Sequence, residues 1–115
     1  MTTKPNNYVL TDENGIPTGV LDVDRIQAQA TRLAYDMAVY SDDPTMLEQV
    51  STQHLAEAGT EAFGYVAASA LRILAEHILE PVLMVTDRLH KVGALHHDLR
   101  AGLEDAADNA RETLR

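Results

Sequence analysis

The fold is decided by residues 22–40, which read DVDRIQAQATRLAYDMAVY. The apolar residues in this stretch recur at alternating gaps of three and four, which places them on one narrow face of an α-helix. They are Val23, Ile26, Ala30, Leu33, Met37 and Tyr40. An aspartate at position 22 or 24 can cap the start of this helix. The stretch therefore predicts a helix over residues 22–40, of the kind found in bundles and coiled coils.

A second helix is predicted immediately downstream, over residues 44–58. Asp43 can cap it, with Pro44 at its first position, where the missing proline N–H is harmless. Apolar positions follow at helical spacing, at Leu47, Val50, His54 or Leu55, and Ala58. Gly59 can end the helix or only weaken it.

The remainder of the chain, residues 60–114, predicts a long or broken helix. From Leu74 to Ala110 the apolar residues keep to one helical face without a phase slip, and acidic residues occupy the opposite face. We expect either one long helix kinked at Pro81, which removes a backbone hydrogen bond, or two helices that are nearly collinear. A break at Gly93 into a helical hairpin is the competing interpretation.

The first residues of the chain show a different pattern. Residues 1–7 are polar and predict a flexible tail, whereas residues 8–21 place two β-prone runs around Asn14 and Gly15, a signal for a β-hairpin. The expected fold class is therefore all-α. It is a three- or four-helix bundle with a long kinked C-terminal helix, preceded by a short N-terminal β-hairpin. We expect one helical domain over residues 8–115.

Composition excludes several functional classes. The 115 residues include no Cys and no Trp, so disulfides, thiolate metal sites and cysteine nucleophiles are impossible. The net charge of −9 argues against direct binding of nucleic acid, which depends on Lys and Arg. No apolar run is long enough for a signal peptide or a membrane span, so a cytoplasmic protein without membrane contact is expected.

The acidity is distributed unevenly along the sequence. Residues 1–43 and 44–81 each carry a net charge of −4, whereas residues 82–115 carry −1. The first two thirds of the chain are therefore expected to present an acidic surface to an unidentified protein partner.

Catalytic and cofactor motifs are not found, so no catalytic residue and no cofactor is predicted. The weak candidates for a metal site combine carboxylates four residues apart with a neighbouring histidine. They are Glu57, Glu61, Glu76, His77 and Glu80. Acidic residues on an exposed helix face explain the same pattern without a metal. The basic residues near the end of the chain, Arg88, Lys91, His96, His97 and Arg100, are expected to be solvated.

The apolar stripe is longer than one short bundle needs, which predicts a homodimer. His96 would lie within this stripe if the helix were continuous, where it could make a pH-sensitive contact. A run of small residues after Phe63 offers a second place where a helix from another copy could approach closely. The predicted interface residues are Gly64, Ala67, Ala68, Leu71, Leu89, Val92, His96, Leu99 and Leu103.

Three functional classes follow from these features. The leading prediction is a non-enzymatic acidic interaction protein, such as an adaptor, an antitoxin-like inhibitor or a phage or mobile-element accessory factor. One alternative is a DNA-mimicking inhibitor of a nucleic-acid-binding protein. The other is a metal-dependent helical-bundle enzyme.

Overall fold

A computed structural model describes residues 7–11 and 17–114 of the chain. Its helices are α1 (Val23–Val39), α2 (Pro44–Ala58), α3 (Thr60–Ile73), α4 (Glu80–Lys91) and α5 (Leu99–Thr113). A π-helix, Leu74–Leu79, lies between α3 and α4. The prediction of an all-α bundle is confirmed. In the part of the chain that the structure describes, every helix is too short or too polar to span a bilayer.

Two short segments precede the helices. β1 (Asn7–Thr11) and β2 (Pro17–Asp22) pair antiparallel, with Tyr8 opposite Leu21 and Val9 opposite Val20. The predicted turn at Asn14 and Gly15 and most of the predicted tail lie outside the described residues. The hairpin as a unit therefore stays a prediction.

Contacts divide the chain into two compact units, Met1–Leu74 and Ala75–Arg115. The first contains α1, α2 and α3, and the second contains α4 and α5. The single domain over residues 8–115 stays a prediction.

Aspartate side chains cap the N-termini of three of the helices. The carboxylate of Asp22 accepts a hydrogen bond from the backbone N–H of Arg25 at 3.1 Å, and Asp43 accepts one from Met46 at 3.1 Å. Asp98 does the same for Ala101 at 3.0 Å. Each cap satisfies a backbone donor that has no partner inside its helix. The predicted cap at Asp43, with Pro44 in the first turn, is present.

The first unit has a core of small and aliphatic side chains. Ala30 and Val66 are fully buried, and Ala34 is 1% exposed. The other buried apolar residues are Ile26, Leu33, Val50 and Ala70. Because three of these residues are alanines, the backbones of α1 and α3 can approach each other closely, and α2 completes the bundle.

The predicted continuous helix through residue 114 is wrong, because the chain leaves the helix after Lys91 and starts α5 at Leu99. Gly93 adopts φ 79°, the left-handed conformation that commonly ends helices. The carbonyl of Leu89 then accepts hydrogen bonds from the N–H groups of Ala94 and Leu95. The competing prediction, a break at Gly93, describes the structure.

The irregular segment before α4 is the π-helix, whose turns are wider than those of an α-helix. It ends just before Pro81, which lies in the first turn of α4, where a proline is tolerated. The irregular segment that the structure shows is the π-helix, which precedes Pro81. The expected kink at Pro81 itself stays a prediction.

Ala30→Leu is expected to destabilise the first unit by about 1–3 kcal/mol, because the larger side chain has no space in the buried contact between helices. Ala28→Leu is the matched control, since Ala28 is exposed on the same helix and Leu is nearly as good a helix former as Ala. Urea unfolding followed by circular dichroism measures both variants. Equal midpoints for the two variants would contradict the assignment of Ala30 to the core.

Candidate interaction surfaces

An open apolar groove lies between α1 and α3 in the first unit, with a volume of about 340 Å³. We call it the α1–α3 groove. It is lined by Leu33, Ala34, Met37, Phe63, Ala67, Ala70, Leu71 and Leu74. Leu71 is the most exposed of the large lining residues, with 69% of its surface accessible to solvent.

All eight lining residues are apolar, and this decides which ligands the groove can take. Pockets for small polar molecules combine an apolar wall with a few polar groups that fix the orientation of the ligand. No side chain lining this groove has a hydrogen-bonding atom, apart from the weakly accepting sulfur of Met37. The groove is therefore suited to apolar side chains and gives a polar substrate nothing to orient it.

A buried polar contact connects α1 to α2 in the same unit. His54 and Gln29 are 4% and 3% exposed, and the Gln29 side-chain amide donates to the backbone carbonyl of His54 at 3.0 Å. His54 Nε2 lies 3.0 Å from a carboxylate oxygen of Asp36. These bonds fix how α2 lies against α1, since a shifted helix would leave buried polar groups without partners.

The same contact resolves an ambiguity in the sequence, where His54 or Leu55 could face inward. His54 faces inward, and Leu55 is 40% exposed. The four-residue spacing of Val50 and His54 indicates that His54 faces inward. The sequence does not identify its partner Gln29, because Gln29 lies off the apolar stripe of α1. His54 Nδ1 is buried and has no hydrogen-bond partner among the described residues.

The candidate metal ligands are not brought together as predicted. Glu57 lies in the last turn of α2 and Glu61 in the first turn of α3. The two do not share a helix face, because Gly59 interrupts the helix with φ 82°. Glu57 instead accepts a hydrogen bond from Arg32 at 2.8 Å, and this bond holds the pKa of Glu57 below its usual value.

In the second unit, the carboxylate of Glu80 is engaged by Arg100, and Glu76 and His77 lie exposed in the π-helix. Within residues 7–11 and 17–114, no group of three or more His, Asp or Glu side chains could hold a metal ion.

Arg100 joins the two helices of the second unit. Its guanidinium donates to both carboxylate oxygens of Glu80, at 3.0 and 3.1 Å, and its Nε donates to Asp87 at 3.0 Å. These bonds raise the pKa of Arg100 further above its already high value. Arg100 is therefore not a free member of the predicted basic group, because two carboxylates of α4 bind it.

The second unit buries little apolar surface of its own. Among its described residues, 75–114, only Leu83 is buried. Four apolar residues in α4 and at its C-terminal end, spaced three and four apart, are exposed to solvent, and we call them the α4 seam. They are Val82, Val85, Leu89 and Val92, with 54%, 57%, 42% and 76% exposure.

The predicted interface residues fall on separate surfaces. Ala67 and Leu71 line the α1–α3 groove, whereas Gly64 and Ala68 are exposed on α3 outside it. Leu89 and Val92 belong to the α4 seam, and Leu99 and Leu103 are 44% and 47% exposed on α5.

The continuous helix that would place His96 within an apolar stripe is absent. His96 lies exposed in the connection between α4 and α5, because the helix ends before Gly93.

No protein-family model, curated protein or solved structure matches this chain. Its function is therefore inferred from the two surfaces described above.

Arg32→Gln is expected to raise the pKa of Glu57 toward the usual glutamate value, because the hydrogen bond from Arg32 is the largest cause of its depression. Since folding lowers this pKa, the ion pair stabilises the protein above the ordinary glutamate pKa and is lost as the pH falls through the depressed value. Titration of the Glu57 carboxyl carbon by NMR measures the shift. Arg25→Gln, which removes the weakest of the contributing charges, should move the pKa less.

Arg100→Met is expected to speed amide hydrogen exchange in α5, because it removes the bonds to Glu80 and Asp87 that join this helix to α4. Arg111→Met is the matched control, since among the described residues Arg111 pairs with Asp108 of its own helix and its side chain is 76% exposed. Equal α5 exchange rates in the two variants would show that Arg100 does not hold the helices together.

Proposed function

We propose that the chain is a non-enzymatic interaction protein whose first unit binds a basic amphipathic helix of another protein. The α1–α3 groove is the observation that carries this proposal, because it is open, receives lining residues from two helices and is lined only by apolar side chains. An amphipathic helix places its apolar face in a groove of this kind and anchors there through residues spaced three and four apart.

The volume of the groove fits a few anchoring side chains. About 340 Å³ lies near the lower end of the roughly 300–1,000 Å³ typical of binding pockets. Leu71 supports the same conclusion, because a large aliphatic side chain at 69% exposure beside an apolar groove remains in contact with water until a partner covers it.

Charge supports a basic partner. Residues 22–74 contain eight Asp or Glu residues against three Arg, and Arg32 is paired with Glu57. A helix with Lys or Arg on its polar face would be attracted to this unit, and the like-charge repulsion met by an acidic helix would be avoided. The partner of the predicted acidic surface is therefore expected to be a basic helix.

The test uses a fluorescein-labelled Leu/Lys peptide of about 18 residues, or about five helical turns, with Leu at helical spacing. Fluorescence anisotropy should show binding to the full chain. A peptide of the same composition with scrambled Leu positions, and a Leu/Glu peptide with the helical spacing, should each bind at least about tenfold more weakly.

Leu71→Ser should weaken binding of the Leu/Lys peptide by about tenfold, as expected for loss of a central apolar contact. Val39→Ser is the matched control, since Val39 is an exposed aliphatic residue on α1 that does not line the groove. The groove is not the binding site if Leu71→Ser leaves the affinity for the peptide unchanged and this affinity falls steeply with salt. Such a result would favour a purely electrostatic contact of the kind a DNA mimic makes.

A further inference from the structure

A polar cleft, separate from the α1–α3 groove, lies in the first unit where α1, the end of α2 and the start of α3 meet. Its volume is about 260 Å³, and we call it the Gln29 cleft. It is lined by Asp22, Arg25, Ile26, Gln29, Glu57, Ala58 and Ala62. Pockets for drug-sized ligands measure roughly 300–1,000 Å³, so this cleft is suited to a smaller molecule.

Gln29 provides an enclosed polar group in this cleft. The residue is 3% exposed, and its side-chain nitrogen Nε2 donates to the backbone carbonyl of His54. No described residue donates a hydrogen bond to its side-chain oxygen Oε1. Since almost all of Gln29 is enclosed by the helices, the cleft that it lines is where a ligand can reach this oxygen. A ligand with an N–H group would satisfy it.

Two carboxylates of the cleft offer further acceptors. Glu57 uses one oxygen to bind Arg32, and Asp22 uses one oxygen to cap α1. The described residues provide no hydrogen-bond donor for the second oxygen of either carboxylate. An ammonium group has three N–H donors and a positive charge, so it matches these two oxygens together with Gln29 Oε1.

The cleft also contains groups that bind a carboxylate. Arg25 forms no ion pair with another described residue. After the hydrogen bond from Arg32, its charge is among those that lower the pKa of Glu57, so Arg25 lies near that carboxylate. Ala62 is in the first turn of α3, and Gly59 gives this helix no side-chain cap. Uncapped backbone N–H groups at a helix N-terminus and a guanidinium both attract an anion.

Both charges are needed on one ligand. A ligand with a carboxylate alone would meet the like charges of Asp22 and Glu57, which oppose its binding. A ligand with an ammonium alone would leave Arg25 and the start of α3 without an anionic partner. A small zwitterion satisfies both sets of groups.

We propose that the Gln29 cleft binds a free α-amino acid with a small aliphatic side chain. The ammonium group donates to Gln29 Oε1 and to the two carboxylates, and the carboxylate of the ligand accepts from Arg25 and from the first turn of α3. The apolar residues of the cleft contact the ligand's side chain, and they are Ile26, Ala58 and Ala62. This proposal does not depend on the peptide-binding groove, which other residues line.

NMR titration of the ¹⁵N-labelled full chain tests the site, with L-valine as the probe. The amide signals of Ala58 and Ala62 and the Nε–H signal of Arg25 should shift and reach saturation. L-Valinamide, which lacks the carboxylate, and 3-methylbutanoate, which lacks the ammonium, should each bind at least about tenfold more weakly. The proposal is overturned if L-valine gives no saturable shift up to about 50 mM. Equal affinity for either analogue also overturns it, because one charged group then accounts for binding.

Variants test whether binding occurs in this cleft. Arg25→Gln should weaken L-valine binding at least about tenfold, whereas Arg88→Gln, at an exposed arginine of α4, should not change it. Ala62→Leu should fill the cleft and weaken binding to a similar extent, and Ala68→Leu, on the exposed side of α3, is its matched control. Circular dichroism verifies that each variant is folded. Unchanged affinity in either folded cleft variant would refute the site.

Leu71→Ser separates this site from the proposed peptide groove. Leu71 lines the α1–α3 groove and not the Gln29 cleft, so the substitution should leave the affinity for L-valine unchanged. A loss of L-valine binding in folded Leu71→Ser would place the ligand in the groove and contradict the assignment to the cleft.

Discussion

The close contact between α1 and α3 is the constraint on which the first unit depends. Ala30, Ala34, Val66 and Ala70 are buried there, and none of them is large. A core built from small side chains holds helices close but gains little from each residue, since hydrophobic stabilisation scales with buried area. The hydrogen bond from Gln29 to the backbone of His54 adds what the aliphatic residues cannot, because it specifies how α2 lies on the other two helices.

A small core also accounts for where the larger apolar residues lie. Leu71 and the residues of the α4 seam are exposed, although the chain has only five aromatic residues. Surfaces of this kind are uncommon on isolated soluble domains and usually mark contact sites. The two surfaces differ in electrostatic setting, since the groove belongs to an acidic unit and the seam lies on a helix with balanced charge.

The sequence predicts the helices better than their ends. The apolar repeat of α1 and the Asp43–Pro44 cap locate the first two helices, because both depend on neighbouring residues. Continuity between Val92 and Leu99 could not be judged, because the non-helical connection spans one heptad and preserves the apparent apolar phase. The positions of His96 and of Glu57 relative to Glu61 could not be derived from the sequence for the same kind of reason, since they depend on whether Gly93 and Gly59 interrupt a helix. Of the groove lining, only Ala67 and Leu71 were predicted to lie at an interface, because periodicity shows which residues are apolar but not which of them a neighbour covers.

The shortness of the connections in the first unit has a consequence for the order of folding. Residues 40–43 join α1 to α2, and Gly59 alone joins α2 to α3, so the helices that pack together are near neighbours along the chain. Such local topologies fold in about microseconds to milliseconds, whereas ribosomes add only about 5–20 residues per second. The acidic three-helix unit should thus acquire its structure during translation, while α4 and α5 are still being synthesised. The exposed apolar residues of α4 would then emerge from a chain whose first unit is already folded and negatively charged, which should limit aggregation between nascent chains.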